Sequence, residues 1–369
     1  MAVPLLDLTR QYAALQDEIE AAALNVLRSC KYILGPEVEG FERDLQRYLG
    51  VPHVLAISSG TDALLVALMA LGVGAGDAVV LPVYSFFATA GVVARLGARP
   101  VFVDVEPTFG TLDPLALERV LEATKNVKAV IVVHLFGAGA DMPKISAICK
   151  ARGLPILEDA AQAIGTRIAG KQAGQWGTCA AWSTFPSKNL GGMGDGGFFS
   201  TSDEKLAQKV KQLRNHGQSD AYRHESIGGN FRLDALQCAL LRVKLHHLEE
   251  FTQRRRANAL RYAELFAKAG TKNRICLPKD VPDRHTYHQY VTYVEASERD
   301  ALKQRLTERQ VGCAVYYPLP FHLQPCFAKL GYVRGDFPVA ERLAATNLAL
   351  PVFPELTPEE QREVVAAFV

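Results

Sequence analysis

The stretch KAVIVVHLFGAGADMPKISAICKARGLPILEDA, Lys128 to Ala160, sets two short apolar runs, KAVIVVHLF and LPILEDA, on either side of a segment with helical spacing that opens at Pro143. Short continuous apolar runs alternating with helical segments are the pattern of strands buried on both faces of a mostly parallel sheet. Upstream the pattern repeats in HVLAI, AVVLP and PVFVDV. Helices between these runs are expected from Thr61, from Ser85 and from Asp113, each with a plausible cap or first turn. Further upstream, Leu15, Ile19, Ala22, Ala23 and Val26 recur at helical spacing, which predicts an opening helix to about Arg28, and a second helix is expected from Glu37. Downstream, residues 231–270 read as a long helical stretch with room for a break, followed by prolines, aromatics and strand-like runs such as YHQYVTYVE. The expected architecture is α/β. A large domain spans 1–245 and a smaller α+β domain spans 246–369, with the N-terminal helix free to pack against the latter.

A chain of 369 residues is long enough for two cores, and 49% apolar with 22% charged residues describes a globular protein. A net charge of +2 argues against an electrostatic nucleic-acid binder. The basic run Arg254-Arg255-Arg256 follows Glu249 and Glu250 in the long helix and reads as a solvated or subunit-facing surface. Seven cysteines, at 30, 149, 179, 238, 276, 313 and 326, are scattered and form no Cys-x-x-Cys pair, which suits reduced, mostly buried thiols. The start, MAVPLLDLTRQYAALQDEIEAAALNVL, is amphipathic and acidic rather than signal-like, and no apolar run approaches the roughly eighteen residues of a membrane span. A cytoplasmic protein is expected.

Open α/β sheets bind ligands beyond the carboxyl ends of their strands, and four such places are polar. In SSGTDALL, Ser58 to Leu65, a Gly60-Thr61-Asp62 turn at a helix start offers free N–H groups, a hydroxyl and the positive end of the helix dipole. That turn suits a phosphate or is an ordinary cap. In EDAAQAIG, Asp159 ends a strand and Gln162 follows nearly one helical turn later. A carboxylate at a sheet's mouth wants a cation or a donor, although a helix cap would also explain it. In YSFFATA, Tyr84 to Ala90, aromatics at a strand end serve core packing or the stacking of a flat ligand. In WSTFPSKNLGGMGDGG, Trp182 to Gly197, Lys188 stands among hydroxyls, and glycines beside it leave room for a substrate. These glycines lead into the strand-like GFFSTS rather than a helix, so they are no dinucleotide fingerprint and hydride transfer is disfavoured. His285 and His288 lack a companion ligand at metal spacing, so no metal site is expected. A phosphate cradle, a carboxylate, an aromatic plate and a lysine together meet the needs of pyridoxal 5'-phosphate.

YILGPEVEGFE, SSGTDALLVAL, PVFVDV, LEDAAQAIGT, STFPSKNLGGMGDGG, GGNFRLDALQCAL and YYPLPFHLQP span nearly the whole chain, and they resemble the DegT/DnrJ/EryC1/StrS family of sugar aminotransferases, of the aspartate-aminotransferase fold type I. The resemblance implies pyridoxal phosphate held by a Schiff base to Lys188, with Asp159 on the pyridinium nitrogen and Gln162 beside the ring hydroxyl. It implies Phe86 on the ring face, phosphate contacts from Gly60, Thr61 and Ser183, and Asn230 reaching the phosphate of the other subunit in a homodimer with shared sites. The implied reaction is a ping-pong transfer of the amino group of L-glutamate to a nucleotide-linked keto-sugar, UDP- or dTDP-linked. NHGQSDAYRHESIGGNFRLD, from Asn215 to Asp234, leans toward the 3-keto position. Tyr32, His216, Tyr317 and His322 match positions near the family's sugar pocket and serve equally as packing residues. A pyridoxal-phosphate dehydratase, an amino-acid aminotransferase and a non-catalytic regulatory homologue are the alternatives. Some relatives that act as dehydratases carry histidine at the lysine position, and this chain keeps Lys188.

Overall fold

The computed structural model describes residues 2–271 and 274–368. Helices α1 (Leu8–Ser29) and α2 (Pro36–Leu49) precede a seven-stranded sheet. Its strands in chain order are β1 (His53–Ile57), β2 (Ala78–Pro82), β3 (Arg99–Val103), β4 (Val127–Val133), β5 (Ile156–Asp159), β6 (Cys179–Ser183) and β7 (Gly197–Thr201). Across the sheet the order is β1-β7-β6-β5-β4-β2-β3. The pairs from β6 to β3 are parallel, whereas β7 is antiparallel to both β1 and β6. HVLAI thus sits at the sheet's edge against an antiparallel neighbour, in a sheet that is mostly parallel, as expected.

The connecting segments are α3 (Gly60–Ala70), α4 (Ala88–Arg95), α5 (Pro114–Ala123) and α6 (Met142–Ala151), with α7 (Glu204–Arg214) after β7. Side-chain alternation divides the sheet's residues between two cores. Ala129, Ile131 and Val133 of β4 pack into one with α3 and α4, and Val130 and Val132 into the other with α2, α5 and α6. All five are at most 3% exposed, and burying each such Val or Ile contributes about 1.5–3 kcal/mol. Helix starts differ from expectation in two places. Ser59, not Thr61, caps α3, its side chain accepting from the Asp62 N–H. Ser85 does not open α4, which begins at Ala88, because its hydroxyl is engaged with Thr89.

Helix α8 (Ala235–Lys268) runs 34 residues without a break, since no proline or glycine interrupts it. Its first half packs with α1 through Leu15, Ile19, Leu240 and Phe251. Its second half joins a separate core built on strands β8 (Ile275–Cys276), β9 (Tyr290–Val294) and β10 (Asn347–Leu350), with helices α9 (Ala296–Glu308), α10 (Pro338–Thr346) and α11 (Pro358–Ala366) completing the C-terminal part. Val3 is buried in this same core and bridges to Val311.

Two surface expectations are corrected. Arg254 pairs with Glu250 and Arg256 with Asp280 and Asp283, but Arg255 between them is buried, because successive helical positions point about 100° apart. The thiols are not mostly buried. Cys149, Cys179 and Cys238 are, Cys313 is half-buried, and Cys30, Cys276 and Cys326 are exposed, all seven being free. Among the described residues no helix is long and apolar enough to cross a membrane, and no three His, Cys, Asp or Glu side chains converge on a metal-sized site.

Candidate active site

The parallel strands end level with one another, with Val133 opposite Asp159 and Asp159 opposite Ala181. Beyond those ends lies a cleft of about 490 Å³ lined by Gly60, Thr61, Phe86, Asp159, Gln162, Ser183, Lys188 and Tyr317 among others. Residues spread over more than 250 positions of sequence are gathered there by sheet order.

At one corner α3 begins against the end of β6. A Cβ on Gly60 would stand 2.6 Å from Ser183 Cβ, so only glycine lets the helix start approach so closely. The N–H groups of Gly60 and Thr61 belong to the first turn, where an α-helix supplies no acceptor. With the Thr61 and Ser183 hydroxyls on the same wall, this corner fits a phosphate.

Asp159, at the end of β5, is 5% exposed. Its Oδ2 accepts from Thr89 Oγ1 at 2.7 Å, and Oδ1 accepts from the Ala161 N–H at 3.3 Å. Burial pushes its pKa up, opposed by the Thr89 and Ala161 hydrogen bonds and by Lys188. A carboxylate this dry is primed for a cationic partner. The preceding residue, Glu158, points to the other face of the strand. There it meets His134 Nε2 at 2.9 Å and accepts from the N–H groups of Gly174, Trp176 and Gly177. His134 Nδ1 accepts from the Ala140 N–H, so its proton is on Nε2 and aimed at Glu158. Two adjacent acids thus divide: Glu158 is saturated with donors inside the fold, and Asp159 faces the cleft.

Gln162 accepts the Phe136 N–H at 2.6 Å and donates to Tyr317 Oη at 3.1 Å. Tyr84 Oη donates to the Tyr316 carbonyl at 2.5 Å and accepts from the Tyr317 N–H at 2.9 Å. These bonds tie the segment at 316–317 to the sheet's mouth. Phe86 is 55% exposed at the cleft, its ring centroid 6.1 Å from that of Tyr317.

Lys188 lies in the loop between β6 and β7, in a turn closed by its N–H to the Phe185 carbonyl at 2.8 Å. The glycines there do not leave open space, as the sequence suggested. A Cβ at Gly191 would lie 2.2 Å from the Pro186 carbonyl oxygen, and one at Gly196 would lie 2.3 Å from Thr184 Oγ1. They let the loop fold tightly on itself, and that tightness positions the lysine.

Burial pulls the Lys188 pKa down from 10.5 to about 8, against the attraction of Asp159. The depressed value means the ammonium is disfavoured in the folded chain, so its contribution to stability is lost as pH falls from 10.5 through about 8. Competitive labelling of the cofactor-free protein with an amine reagent is expected to show Lys188 half-reactive near pH 8, well below surface lysines. A midpoint near 10.5 would remove the case for a neutral amine.

Of the remaining sequence candidates, Tyr317 lines the cleft. Tyr32 is exposed, its hydroxyl 3.3 Å from the Leu27 carbonyl, and His216 and Asn230 are exposed outside the cleft. His322 is 3% exposed, held by Glu341 at 2.9 Å and packed on Phe337, and is not in the cleft wall. Three further groups belong to the site: Thr89, the donor to Asp159, and His288 and Gln289 in the wall near Lys188. Thr89 stands within the YSFFATA segment already singled out. His288 could not be separated from His285 by spacing. In the fold His285 stacks on Tyr287, with ring centroids 4.2 Å apart, and only His288 reaches the cleft.

Comparison with known proteins gives the same picture. The family model described as DegT/DnrJ/EryC1/StrS aminotransferase matches residues 13–369. The chain is 46% identical to a "Pleiotropic regulatory protein" of Geobacillus stearothermophilus, covering 99% of this chain and 97% of the relative. It is 40% identical to a UDP-N-acetyl-3-dehydro-alpha-D-glucosamine 3-aminotransferase of Acidithiobacillus ferrooxidans, covering 97% and 95%. A dTDP-3-amino-3,4,6-trideoxy-alpha-D-glucose transaminase of Streptomyces venezuelae is also 40% identical, covering 99% and 95%. Among solved structures, S. venezuelae DesV in complex with a ketimine intermediate superposes with a TM-score of 0.94 at 40% identity, over 100% of this chain and 97% of that one. Bacillus subtilis ntda with bound cofactor pmp gives 0.92 at 32% identity, over 99% and 84%.

Proposed function

The chain belongs to the DegT/DnrJ/EryC1/StrS aminotransferase family, pyridoxal-phosphate enzymes of fold type I, and we propose from that premise that it transfers the amino group of L-glutamate to a nucleotide-linked keto-sugar. The observation that carries this reading is the convergence of Lys188, Asp159 and the Gly60–Ser183 corner on one cleft.

In this reading the first turn of α3 and the Ser183 hydroxyl would hold the phosphate. Asp159 would hold the ring nitrogen as a cation, Gln162 would serve the ring hydroxyl, Phe86 would cover the ring and Lys188 would anchor the cofactor covalently. Bound there, pyridoxal phosphate supplies an electron sink for the charge left when an α proton departs. Lys188 Nζ, whose pKa burial draws down to about 8, would take that proton from the α carbon once the amino acid has displaced it from the cofactor, and would later deliver a proton to the carbon that was the sugar's ketone. Thr89, donating to Oδ2, would hold the Asp159 carboxylate in place toward the ring nitrogen. Glutamate leaves as 2-oxoglutarate before the keto-sugar enters, in two half-reactions.

The names of two relatives, one UDP-linked and one dTDP-linked, both place the nitrogen at C3 and support a 3-keto acceptor in amino-sugar biosynthesis. A regulatory role, which the name of a third relative raises, is disfavoured because the lysine, the acid and its Thr89 partner are all kept. We further place the division of the chain at 1–245 and 246–369, within α8. We also read the protein as a homodimer in which Asn230 serves the partner's phosphate. In support, Asn230 is exposed, and Tyr222 and Ile227 shortly before it are 95% and 91% exposed. The test is a panel of UDP- and dTDP-linked 3-keto and 4-keto sugars with L-glutamate, read by mass spectrometry. An amino sugar from a 3-keto substrate is expected. Reaction with an ordinary 2-oxo acid but with no sugar would overturn the assignment.

A further inference from the structure

A second cavity, of about 70 Å³, adjoins the cleft beside Lys188. Ser187, His288, Gln289 and Tyr316 line both spaces, so the smaller one is a side chamber of the larger. Leu5, from the N-terminal segment, and Arg255 of α8 also line it.

Arg255 is 4% exposed, yet among the described residues no carboxylate stands within the 4.0 Å of an ion pair. Its Nη1 reaches only the carbonyls of Tyr287, His288 and Val352, at 3.4–3.5 Å, and its Nε has no partner. Two more buried atoms around the same chamber lack partners: Nδ1 of His288, a residue 6% exposed, and Oε1 of Gln289. The half-buried Glu355 attracts Arg255 from beyond ion-pair distance, and a buried guanidinium with no carboxylate in contact is costly, as are the unpaired polar atoms beside it. Burial draws the Arg255 pKa down to about 10, so the group is still a cation at neutral pH. The neighbouring cations Lys188 and Arg255 reinforce burial in keeping His288 neutral, so its ring can present an N–H. A half-turn of the Gln289 amide offers a second donor.

We propose that this side chamber receives a carboxylate of the amino-acid donor, with Arg255 binding it and His288 and Gln289 completing the contact. The proposal rests on the aminotransferase reading and deepens it by giving the donor its own subsite. Size agrees with this division: the chamber offers about 70 Å³ against about 490 Å³ for the cleft, so the small carboxylate is assigned to the chamber and the bulkier nucleotide-linked sugar to the cleft. Position agrees, because an amino acid whose α proton goes to Lys188 carries a carboxylate on that same α carbon, and Ser187 next to Lys188 lines the chamber.

The test uses cofactor-loaded protein and the variants Arg255→Lys and Arg255→Met. Half-saturation for L-glutamate is expected to rise about 10-fold in the first and about 100-fold in the second, with that for the keto-sugar changed by less than about twofold. Calorimetric affinity for 2-oxoglutarate should fall in parallel. Equal losses toward both substrates, no change toward either, or a crystal soaked in L-glutamate that shows ordered water alone in the chamber would overturn the proposal. If Arg255→Met does not fold by circular dichroism, Arg255→Lys decides. Wild type that binds 2-oxoglutarate in an Arg255-dependent way but aminates no sugar would sink the sugar assignment and leave the subsite standing. Sugar amination with Arg255-independent glutamate use would do the reverse.

Discussion

Replacing Lys188 with alanine is expected to lower amino transfer by at least about 10³-fold while the protein remains folded. In the proposed mechanism two functions leave with one side chain: the covalent hold on the cofactor and the base that moves the α proton. Proton transfer by a positioned side chain alone is worth about 10²–10⁴-fold. No neighbour can take over the proton. Asp159 is committed to Thr89 and the Ala161 N–H, and His288 is a poor base because burial, the largest cause, draws its pKa well below the ordinary value. The fold should tolerate the change, because the loop is held by its backbone, through Thr184, Gly192 and Gly196, rather than by the lysine. Three measurements check this: steady-state amination, the mass gained on borohydride treatment with the cofactor, and partial rescue by added methylamine. Retention of a tenth of the activity, or an unchanged mass gain, would remove Lys188 from the mechanism.

Asp159→Asn is expected to cost about 10²–10³-fold in turnover, the scale of deleting one preorganised electrostatic partner in a dry site. The same change should make the cofactor-free protein more stable at pH 7. Burial raises the folded pKa of Asp159 above its ordinary 3.8, so the ionised carboxylate is a liability to folding once the pH exceeds that raised value. Below about 3.8 the acid is protonated in both states and the penalty disappears. The melting temperature of cofactor-free Asp159→Asn should therefore exceed that of wild type at neutral pH, and the gap should close as the pH drops toward that value. A variant that is both less stable and fully active would mean that Asp159 is a helix-loop cap and no more. Opposite signs for stability and activity are what a functional buried charge produces, since in the proposed reading the cofactor rather than the fold supplies its counter-ion.

Legibility in sequence followed chemistry that is local. The strands of the large sheet were readable because KAVIVVHLF and its fellows are buried on both faces. The helix start at Gly60 and Thr61 was readable because a helix start beside a strand needs few residues. Where several residues compete within one turn, assignment failed by a position or more: Ser59 rather than Thr61 caps α3, and Ser85 gives its hydroxyl to Thr89 instead of starting α4. Arg255 was misread for a related reason. A run of three arginines looks uniform along the chain, but a helix turns each to a different side, and only the packing of residues 287–288 and 352 against α8 shows that the middle one is inside.

From the order of residues alone came the α/β class, the family, and the pairing of Lys188 with Asp159, because apolar periodicity and short motifs are properties of neighbours along the chain. Only the tertiary structure decided that β7 enters the sheet antiparallel, that His288 and not His285 reaches the cleft, that His322 is spent on Glu341, and that Arg255 is buried near Lys188's loop with no carboxylate in ion-pair contact. Each of those depends on which segments meet across gaps of tens to hundreds of residues. That meeting is set by the summed burial of whole faces, a quantity no single motif contains.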